Sequence, residues 1–335
     1  MVKIICIMKH GHSGYLMRNL KTEKSDDHIG NFSYVSAVIC TYNRRKTFEK
    51  CFDSLLNQTY PEDKYEIIVV DSSNDITDTL MKRYVDKAKN QGIKLEYTYQ
   101  KPSGIAIARN CGIEKSNGKF ICFIDDDCIA SNDWIEKLVC GFDSENIGGV
   151  GGKINIYKPQ NLIEKFGIKN DQESTIKKNS QLIGANCAYT KKVLQSIKGF
   201  DENMKYLEDF DIGIRVKLGG WILKYAPDAI VYHKHRASLK ELLKQQYSHG
   251  FYLAMICKKY YLFSTRSNLI IYSRRLIISF IFIICYTLLL KKEYILKNLV
   301  NFLIFFSILS GFIKGIIFGK YEGPKIYRKK INSSI

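Results

Sequence analysis

The segment 120–128, FICFIDDDC, constrains the fold of this chain more than any other stretch. Its apolar, branched and aromatic first half predicts a strand that is buried on both faces. The strand ends in three carboxylates, Asp125, Asp126 and Asp127, which repel one another and need a positive partner if they are buried. A divalent cation suits them, because Mg²⁺ and Mn²⁺ prefer hard oxygen ligands and Mg²⁺ usually also binds substrate phosphates. The alternative is a solvated acidic turn.

Strands and helices alternate with short connections from residue 34 to residue 127, which predicts a doubly wound, mostly parallel sheet. Ligands bind such sheets at the carboxyl ends of the strands. The strands predicted at 34–40, 65–70 and 120–124 end in polar residues: Thr41, Tyr42 and Asn43; Asp71; and the three aspartates. We therefore expect a nucleotide at this rim, with Asp71 at the base or ribose and the aspartates at metal and phosphate.

Arg109 lies near the start of the next predicted helix, 105–116, and is expected to face the phosphates. The alternative is a solvated helix residue. The chain contains neither GxGxxG after its first strand nor GxxxxGK[ST], which argues against a dinucleotide dehydrogenase and a P-loop NTPase. Its ten cysteines show no zinc-ligand spacing and follow no secretory leader, so we expect reduced cytosolic thiols.

A second acidic cluster lies between residues 201 and 211. It contains Asp201, Glu202, Glu208, Asp209 and Asp211, one of which is expected to be a general base. For Glu208 and Asp209, at the start of a predicted helix, the alternative is a favourable interaction with the helix dipole. Two further strands are predicted at 221–225 and 229–232, and His233 and His235 follow the second of them. A histidine beside a carboxylate-bound metal could be a ligand; the alternative is a histidine that is simply exposed at a strand end. Glycines at 148–152 indicate either backbone close to a ligand or a plain loop. Residues 158–181 are expected to form a flexible loop over the site.

Taken in order, eight pieces of the sequence resemble the family 2 glycosyltransferases, which have the GT-A fold. The pieces are VICTYNR (38–44), IIVVDSS (67–73), GIAIARNCGI (104–113), FIDDD (123–127), IGANCAY (183–189), GFDE (199–202), LEDFDIGIR (207–215) and GWILKYAPDAIVYH (220–233). The resemblance is specific to the family but not to any one member. It implies the transfer of a sugar from a nucleotide-diphospho-sugar to an acceptor hydroxyl, with inversion of the anomeric carbon.

The resemblance also implies roles for single residues. The end of the first strand (Thr41, Tyr42, Asn43) and Asp71 correspond to positions that hold the nucleobase and ribose, and Arg109 to one beside the nucleotide. Asp125 and Asp127 match the two ends of the DxD motif, which meets ribose and metal, with Asp126 between them. Asp209 matches the catalytic base, with Glu208 beside it, and His233 matches a histidine that approaches the Mg²⁺ or Mn²⁺ ion.

The net charge of +18 lies mostly in the last third of the chain: residues 234–335 hold 18 basic and three acidic side chains. This part is also the most apolar, which favours an anionic membrane surface as partner over nucleic acid. We expect a lead-in at 1–33, a GT-A domain at 34–236, an amphipathic helix at 237–265, an apolar helical hairpin at 266–320 and a basic tail at 321–335. The amphipathic helix is expected on the bilayer surface; the alternative is packing on the domain.

The predicted orientation is a membrane hairpin with the catalytic domain in the cytoplasm. Its apolar runs, 276–290 and 299–313, are marginal for spanning, so a re-entrant hairpin and a buried helical pair are the alternatives. The donor would be a nucleotide-diphospho-sugar and the acceptor a lipid-linked or cell-envelope glycan. Two other functions stay open: a nucleotidyltransferase, which would release pyrophosphate, and a non-catalytic scaffold at the membrane surface.

Overall fold

The computed structural model describes residues 32–73, 78–161, 163–164, 171–179, 181–260, 265–288 and 292–321. Most of the predicted lead-in and of the basic tail lies outside these residues, as does part of the predicted loop at 158–181. Within them, eight strands form one sheet in the order β3-β2-β1-β4-β7-β6-β8-β5. The strands are β1 (Val35–Thr41), β2 (Tyr65–Asp71), β3 (Lys94–Tyr99), β4 (Phe120–Asp125), β5 (Cys128–Ala130), β6 (Ile147–Ile156), β7 (Asn186–Thr190) and β8 (Ile222–His233).

The helices surround this sheet and continue beyond it. They are α1 (Arg45–Leu56), α2 (Asp78–Asn90), α3 (Ile105–Lys115), α4 (Trp134–Val139), α5 (Gln172–Asn179), α6 (Lys191–Ser196), α7 (Glu208–Leu218), α8 (Leu239–Tyr260), α9 (Thr265–Leu288) and α10 (Lys292–Phe318), with a 3₁₀ turn at Glu62–Lys64.

Parallel pairing joins β3, β2, β1 and β4 on one side of the sheet. The strand β7 runs antiparallel to both β4 and β6, β8 runs parallel to β6, and the short β5 runs antiparallel to β8. The prediction of a doubly wound, mostly parallel sheet is confirmed. The strand β3 lies at one edge of this sheet.

Two apolar cores lie on opposite faces of the sheet. In β1, Ala37 and Ile39 point into the core that α1, α2 and α4 cover, while Val38 points into the core that α3, α6 and α7 cover. Because both faces are covered, β1, β2 and β4 need apolar residues at successive positions rather than at alternate ones. This is the reason that their sequences read as continuous apolar runs.

Three local predictions differ from the structure. The glycine cluster at 148–152 is neither a ligand loop nor a plain loop but the first half of β6, where a Cβ on Gly149 would lie 2.8 Å from the Leu182 and Tyr189 side chains. The two strands expected at 221–225 and 229–232 form the single strand β8, whose register with β6 shifts between Gly152 and Lys153. The expected loop at 158–181 contains the helix α5.

The helix α8 packs on the protein rather than on the bilayer, so the structure favours the alternative given above. Its side chains Leu253 and Ile256 lie in a third core with Phe210 of α7 and with Ile308 and Phe312 of α10. The helices α8 and α10 cross where glycines face each other's backbone: a Cβ on Gly250 would overlap the carbonyl of Ile308, and one on Gly311 would overlap the carbonyl of Tyr247. Only glycine permits so close a crossing.

The helices α9 and α10 expose large apolar side chains. Exposed are Ile277, Ile278, Phe280, Ile281, Phe282 and Ile284 on α9, and Phe306, Ile313, Ile317 and Phe318 on α10. Among the described residues, one helical stretch, Tyr294–Phe318 with a mean hydropathy of 2.0, is long and apolar enough to cross a membrane.

Candidate active site at the carboxyl edge of the sheet

A cleft of about 2120 Å³ opens at the carboxyl ends of β1 and β4. Thr41, Tyr42, Arg109 and the aspartates at 125–127 line it, together with the start of α7 and the end of β8. Residues that lie far apart in the sequence meet here because the parallel strands β1 and β4 end side by side, and Cys40 is paired with Asp125. The structure brings the residues at the ends of β1 and β4 together at one edge of the sheet, as the strand pattern predicted.

Asp126, the middle aspartate, is buried and faces into the protein. Its carboxylate accepts a hydrogen bond from the Thr41 hydroxyl at 2.9 Å and one from Arg44 Nη1 at 3.1 Å. Burial raises the pKa of Asp126 to about 7, in spite of the lowering effect of Arg44. Asp126 thus joins the end of β1 to the end of β4. In the structure it acts as a support for its two neighbours and for the Thr41 side chain.

Asp127 lies between a histidine and an arginine. Its Oδ1 is 3.1 Å from His233 Nε2, and its Oδ2 accepts a hydrogen bond of 2.6 Å from Arg44 Nη1. Burial alone would raise the pKa of Asp127, but His233 and then Arg44 lower it to about 2. The pairing of β5 with β8 produces this contact, because it places Cys128 opposite His233. Of the two histidines that the sequence left open, His233 is the one at the aspartate.

The residues around Asp127 fit a divalent cation. Ligand atoms of Asp127, Cys128 and His233 lie within 4.8 Å of one another, and Asp127 Oδ1 is buried without a well-formed hydrogen bond. A carboxylate and an imidazole suit Mn²⁺ or Mg²⁺, and the diphosphate oxygens of a substrate would supply further ligands. Cys128 does not fit such an ion, because its sulfur is soft and burial raises its pKa well above the ordinary value.

Arg109 joins the two acidic clusters across the cleft. Its Nη1 donates a hydrogen bond of 2.7 Å to Glu208 Oε1, and its Nη2 donates one of 3.0 Å to Asp125 Oδ1. The side chain is only 5% exposed, so the alternative of a solvated helix residue is wrong. Burial would lower the pKa of Arg109, but Glu208 and Asp125 raise it, and the guanidinium stays charged. A Cβ on Gly184 would overlap this guanidinium, so the close approach requires glycine there.

Glu208 and Asp209 occupy different environments at the start of α7. Glu208 is buried against Arg109, and burial raises its pKa to about 7. Asp209 is partly exposed to the cleft, accepts a hydrogen bond of 3.3 Å from the Gly184 N–H, and has its pKa raised, mainly by burial. Leu207, just before them, adopts a left-handed φ of 58°, which is unfavourable for a branched side chain. Strain of this kind is concentrated at functional sites.

The remaining predicted donor residues lie at or near the rim. Tyr42 is 56% exposed and lines the cleft, and Asn43 has a φ of 52° and donates its N–H to Ser73 Oγ. Asp71 is fully buried behind the rim, where it accepts hydrogen bonds from the Ser73 N–H at 2.7 Å and from Tyr97 Oη at 3.0 Å. The structure brings the site residues together at one edge, and their binding roles stay predictions.

Sequence reasoning missed three contributors to this site. Arg44 was noted only as the last residue of VICTYNR, although it holds Asp126 and Asp127. Gly184 was noted only within IGANCAY, and Tyr97 was not singled out. For Arg44 and Gly184 the motif was the available signal. For Tyr97 no signal exists without the tertiary contacts.

Known families and structures resemble this chain. The sequence model described as Glycosyl transferase family 2 matches residues 36–198, and the one described as Glycosyl transferase family group 2 matches residues 120–316. Glycosyltransferase AglE of Haloferax volcanii is 30% identical over 223 residues, which are 65% of this chain and 72% of that protein.

A Methanococcus voltae relative is named dolichyl N-acetyl-alpha-D-glucosaminyl phosphate 3-beta-D-2,3-diacetamido-2,3-dideoxy-beta-D-glucuronosyltransferase. It is 26% identical over 244 residues, which are 68% of this chain and 75% of that protein. The mannosyltransferase PcManGT from Pyrobaculum calidifontis, solved with GDP-Man and Mn²⁺, superposes with a TM-score of 0.65 at 16% identity. The match covers 87% of this chain and 89% of that one, and it confirms the GT-A fold. From the family group match and the Haloferax relative together, we conclude that this chain is a member of glycosyltransferase family 2.

Proposed function

We propose that the protein transfers a sugar from a nucleotide-diphospho-sugar to an acceptor hydroxyl, with inversion, on a lipid-linked or cell-envelope glycan. One observation carries this proposal: Arg109 bridges Asp125 of the DxD segment and Glu208 beside Asp209, across a single cleft. One guanidinium therefore joins the two acidic clusters, and both clusters line the same cleft. A displacement reaction needs the site of the leaving group and the base within one cleft.

On the donor side, the end of β1 and Asp125 are suited to hold the nucleoside. Asp127 and His233 would hold a Mg²⁺ or Mn²⁺ ion, which would supply charge neutralisation on the departing diphosphate. Arg109 carries a positive charge that burial does not remove, and it faces Asp125 at the point where that diphosphate would lie. The named neighbour solved with GDP-Man and Mn²⁺ supports a donor and an ion of this kind.

On the acceptor side, Asp209 is the proposed base. Its carboxylate is partly exposed to the cleft, whereas Glu208 is buried and pairs with Arg109, so Asp209 is the more accessible of the two to an acceptor hydroxyl. Proton removal by Asp209 lets the hydroxyl oxygen attack the anomeric carbon from the side opposite to the leaving diphosphate. A single displacement of this kind inverts the stereochemistry. Glu208 is proposed to position Arg109.

We propose that the protein is bound to the membrane, with the catalytic domain in the cytoplasm. The exposed apolar side chains of α9 and α10 support this, because soluble surfaces rarely present so many together. The stretch Tyr294–Phe318 is long enough to span, and the basic residues of the tail suit an anionic lipid surface. The Haloferax and Methanococcus relatives bear names of glycosyltransferases, the second of a dolichyl-linked sugar phosphate.

The test is the release of nucleoside diphosphate by the full chain in detergent. A panel of UDP-, GDP- and dTDP-sugars would be offered with Mn²⁺ or Mg²⁺ and crude membrane lipid as acceptor. Asp127→Ala and Asp209→Asn would be compared with Glu202→Gln, a surface acid in the same stretch of the sequence as Asp209. Transfer predicts release from one donor, loss in the first two variants and little change in the third. NMR of the product then gives the anomeric configuration.

Three outcomes would contradict the proposal in whole or in part. Release of pyrophosphate instead of nucleoside diphosphate would indicate a nucleotidyltransferase. The absence of donor binding and turnover across the whole panel would indicate a scaffold. A product that retains the donor's anomeric configuration would leave the transfer in place but overturn the inversion.

A further inference from the structure

The cleft does not end at the Asp127–His233 pair. It continues into a second part, lined by residues of α8, α9 and α10 and by Arg236, which we call the helical section. The proposed donor and the proposed base occupy only the part of the cleft at the ends of β1 and β4 and the start of α7, which we call the sheet side. The helical section therefore has no role in the reaction derived above, although it belongs to the same continuous space.

The helical section is positively charged. Arg236, Arg275 and Lys297 line it, whereas the acidic residues that line the cleft in the described part of the chain all belong to the sheet side, at 125–127, 171 and 208–209. Arg236 Nε donates to the neutral Gln245 Oε1 at 3.1 Å. Among the described residues, neither Arg236 nor Lys297 has a carboxylate within 4.0 Å. Unneutralised cations that line a cavity favour an anionic ligand.

Arg236 places this charge close to the reacting centre. Burial alone would raise the pKa of Asp127, but His233, Arg44 and also Arg236 lower it. Burial, and after it Arg236, lower the pKa of His249 to about 4. One guanidinium thus acts on a residue of the sheet side and on a residue of α8.

A buried amide points to the same kind of ligand. Gln246 of α8 is 2% exposed and lines the cleft. A polar group buried at the wall of a cavity is usually satisfied by a ligand or by water. Its N–H groups can donate to an oxygen of an anion held by Arg236.

Apolar side chains line the remainder of the helical section. Leu242 and Leu253 of α8 and Ile304 of α10 face it, and Arg275 lies over the ring of Phe305, 5.4 Å from its centre. A small hydrophilic anion would leave these side chains without a partner. An anion attached to a hydrocarbon chain would contact both the cations and the apolar residues.

We propose that the helical section binds the phosphate that links an acceptor to its lipid, with the first isoprenoid or acyl units against α8 and α10. This inference rests on the proposed function, since it names the class of acceptor: a lipid phosphate or lipid diphosphate that carries the accepting hydroxyl. The cationic residues hold the phosphate, and the sugar end extends toward Asp209. No bond is made or broken at the phosphate.

The test measures binding of three probes to the full chain in neutral detergent: farnesyl phosphate, farnesol and inorganic phosphate. The variant removes the three cations together (Arg236→Gln, Arg275→Gln and Lys297→Gln). The matched control removes three exposed cations that do not line the cleft (Lys240→Gln, Lys244→Gln and Arg274→Gln). Nucleoside diphosphate binding on the sheet side serves as the folding check for both.

We expect farnesyl phosphate to bind at least about tenfold more tightly than farnesol or inorganic phosphate, because charge-assisted hydrogen bonds and apolar contact act together. The cleft variant should lose this advantage, and the control should keep it. Equal binding of farnesol, equal binding of inorganic phosphate, or equal losses in the two triple variants would each overturn the proposal. Gln246→Leu should weaken farnesyl phosphate binding and leave farnesol unchanged.

These measurements separate the two proposals. Farnesyl phosphate binding requires no donor, and nucleoside diphosphate release from the panel is read without farnesyl phosphate. If release fails while farnesyl phosphate binds in the charge-dependent way described, the lipid-phosphate site stands and sugar transfer is wrong. If release occurs but the probes do not discriminate, sugar transfer stands and the lipid-phosphate site is wrong.

Discussion

Lys259 Nζ lies 2.5 Å from Asp211 Oδ1, and both side chains are buried. Lys259 belongs to α8 and Asp211 to α7, the helix that begins with Glu208 and Asp209. Asp211 also accepts hydrogen bonds from Tyr260 Oη at 2.7 Å and from Arg215 Nε at 2.8 Å. Lys259 in turn contacts Asp201. Buried charged side chains therefore connect α8 to α7, the helix that carries the proposed base.

The first prediction concerns the ion pair between Lys259 and Asp211. Lys259→Met should destabilise the protein by about 3 kcal/mol, because it removes the ammonium that Asp211 and the partly buried Asp201 share and leaves Arg215 as the remaining partner of Asp211. Thermal unfolding of the detergent-solubilised chain measures the effect. Lys87→Met is the matched control, since Lys87 pairs with Asp53 on the surface and its loss should cost at most about 1 kcal/mol. Equal shifts in the two variants would show that the buried network contributes nothing special.

The second prediction concerns the base. Asp209→Asn should lower kcat by about 10²–10⁴-fold, because an amide cannot accept the proton of the acceptor hydroxyl. The affinity for the nucleotide donor should stay within a factor of about two, since Asp209 contacts Gly184 and not the β1 or β4 end. Single-turnover kinetics and donor titration measure the two quantities. Loss of donor affinity with unchanged kcat would assign Asp209 to binding instead.

The third prediction concerns the metal. His233→Ala should weaken Mn²⁺ binding at least about tenfold, because the imidazole lies beside the Asp127 carboxylate. Electron paramagnetic resonance of the free ion measures this without any turnover. His235→Ala is the control: its ring is centred 5.2 Å from that of His233, but it has no carboxylate within ion-pair distance in the described chain. If the His235 variant loses more affinity than the His233 variant, the ligand assignment is wrong.

The fourth prediction concerns the glycine beneath Arg109. Gly184→Ala should displace the guanidinium, because the new methyl group would lie 2.6 Å from Arg109 Cζ. We expect a loss of kcat/KM of at least about tenfold with a retained fold, since the displaced charge no longer faces the departing diphosphate. Circular dichroism checks the fold. Gly220→Ala provides the comparison, because nothing lies within 4 Å of its Cβ position, although its φ of +87° adds local strain. Equal activity of Gly184→Ala and wild type would exclude this role for Arg109.

The fifth prediction concerns pH. Burial raises the pKa of Glu208 to about 7 and also raises that of Asp209, with Arg109 opposing and Asp125 adding to both shifts. Both carboxylates act in their charged form, so activity is lost as the pH falls through their pKa values. Because these pKa values are raised, the loss should occur at a higher pH than it would for carboxylates with ordinary pKa values. We expect kcat/KM to fall as pH decreases through about 7. The two groups titrate as a coupled pair.

The Glu208→Gln variant separates the two carboxylates of this pair. Its remaining activity should fall at a lower pH than that of wild type, because Asp209 then loses its proton beside a neutral neighbour. Initial rates at subsaturating donor between pH 5 and pH 9 give both profiles. A wild-type profile that is flat down to pH 5 would show that neither carboxylate controls the rate.

The strands, and the position of Asp125, Asp126 and Asp127 at the end of one of them, were predictable because the sequence patterns that indicate them are local. An apolar run such as 120–124 followed by three carboxylates requires no knowledge of the fold to be interpreted. The helix predicted at 105–116 agrees with α3 to within one residue for the same reason.

The parts that failed depend on tertiary contacts. The glycines of β6 look like a loop until the Tyr189 and Trp221 side chains that fill their space are known. The apolar face of α8 looks the same whether lipid or α10 covers it. The Arg109–Glu208 pair joins residues 99 positions apart, and no periodicity connects them. Sequence patterns report each segment's environment, but they do not report which other segment provides it.

The close glycine crossing of α8 and α10 has a mechanical consequence. The two backbones are in direct contact, with no side chains between them at the crossing. The helices therefore cannot slide or separate without losing this close packing. With α8 also tied to α7, the proposed membrane helices and the proposed base belong to one rigid body. Anchored in a bilayer, this body would hold Asp209 at a constant height above the lipid headgroups. The enzyme would then select acceptors by distance, because Asp209 would reach only those hydroxyls that an acceptor presents at that height.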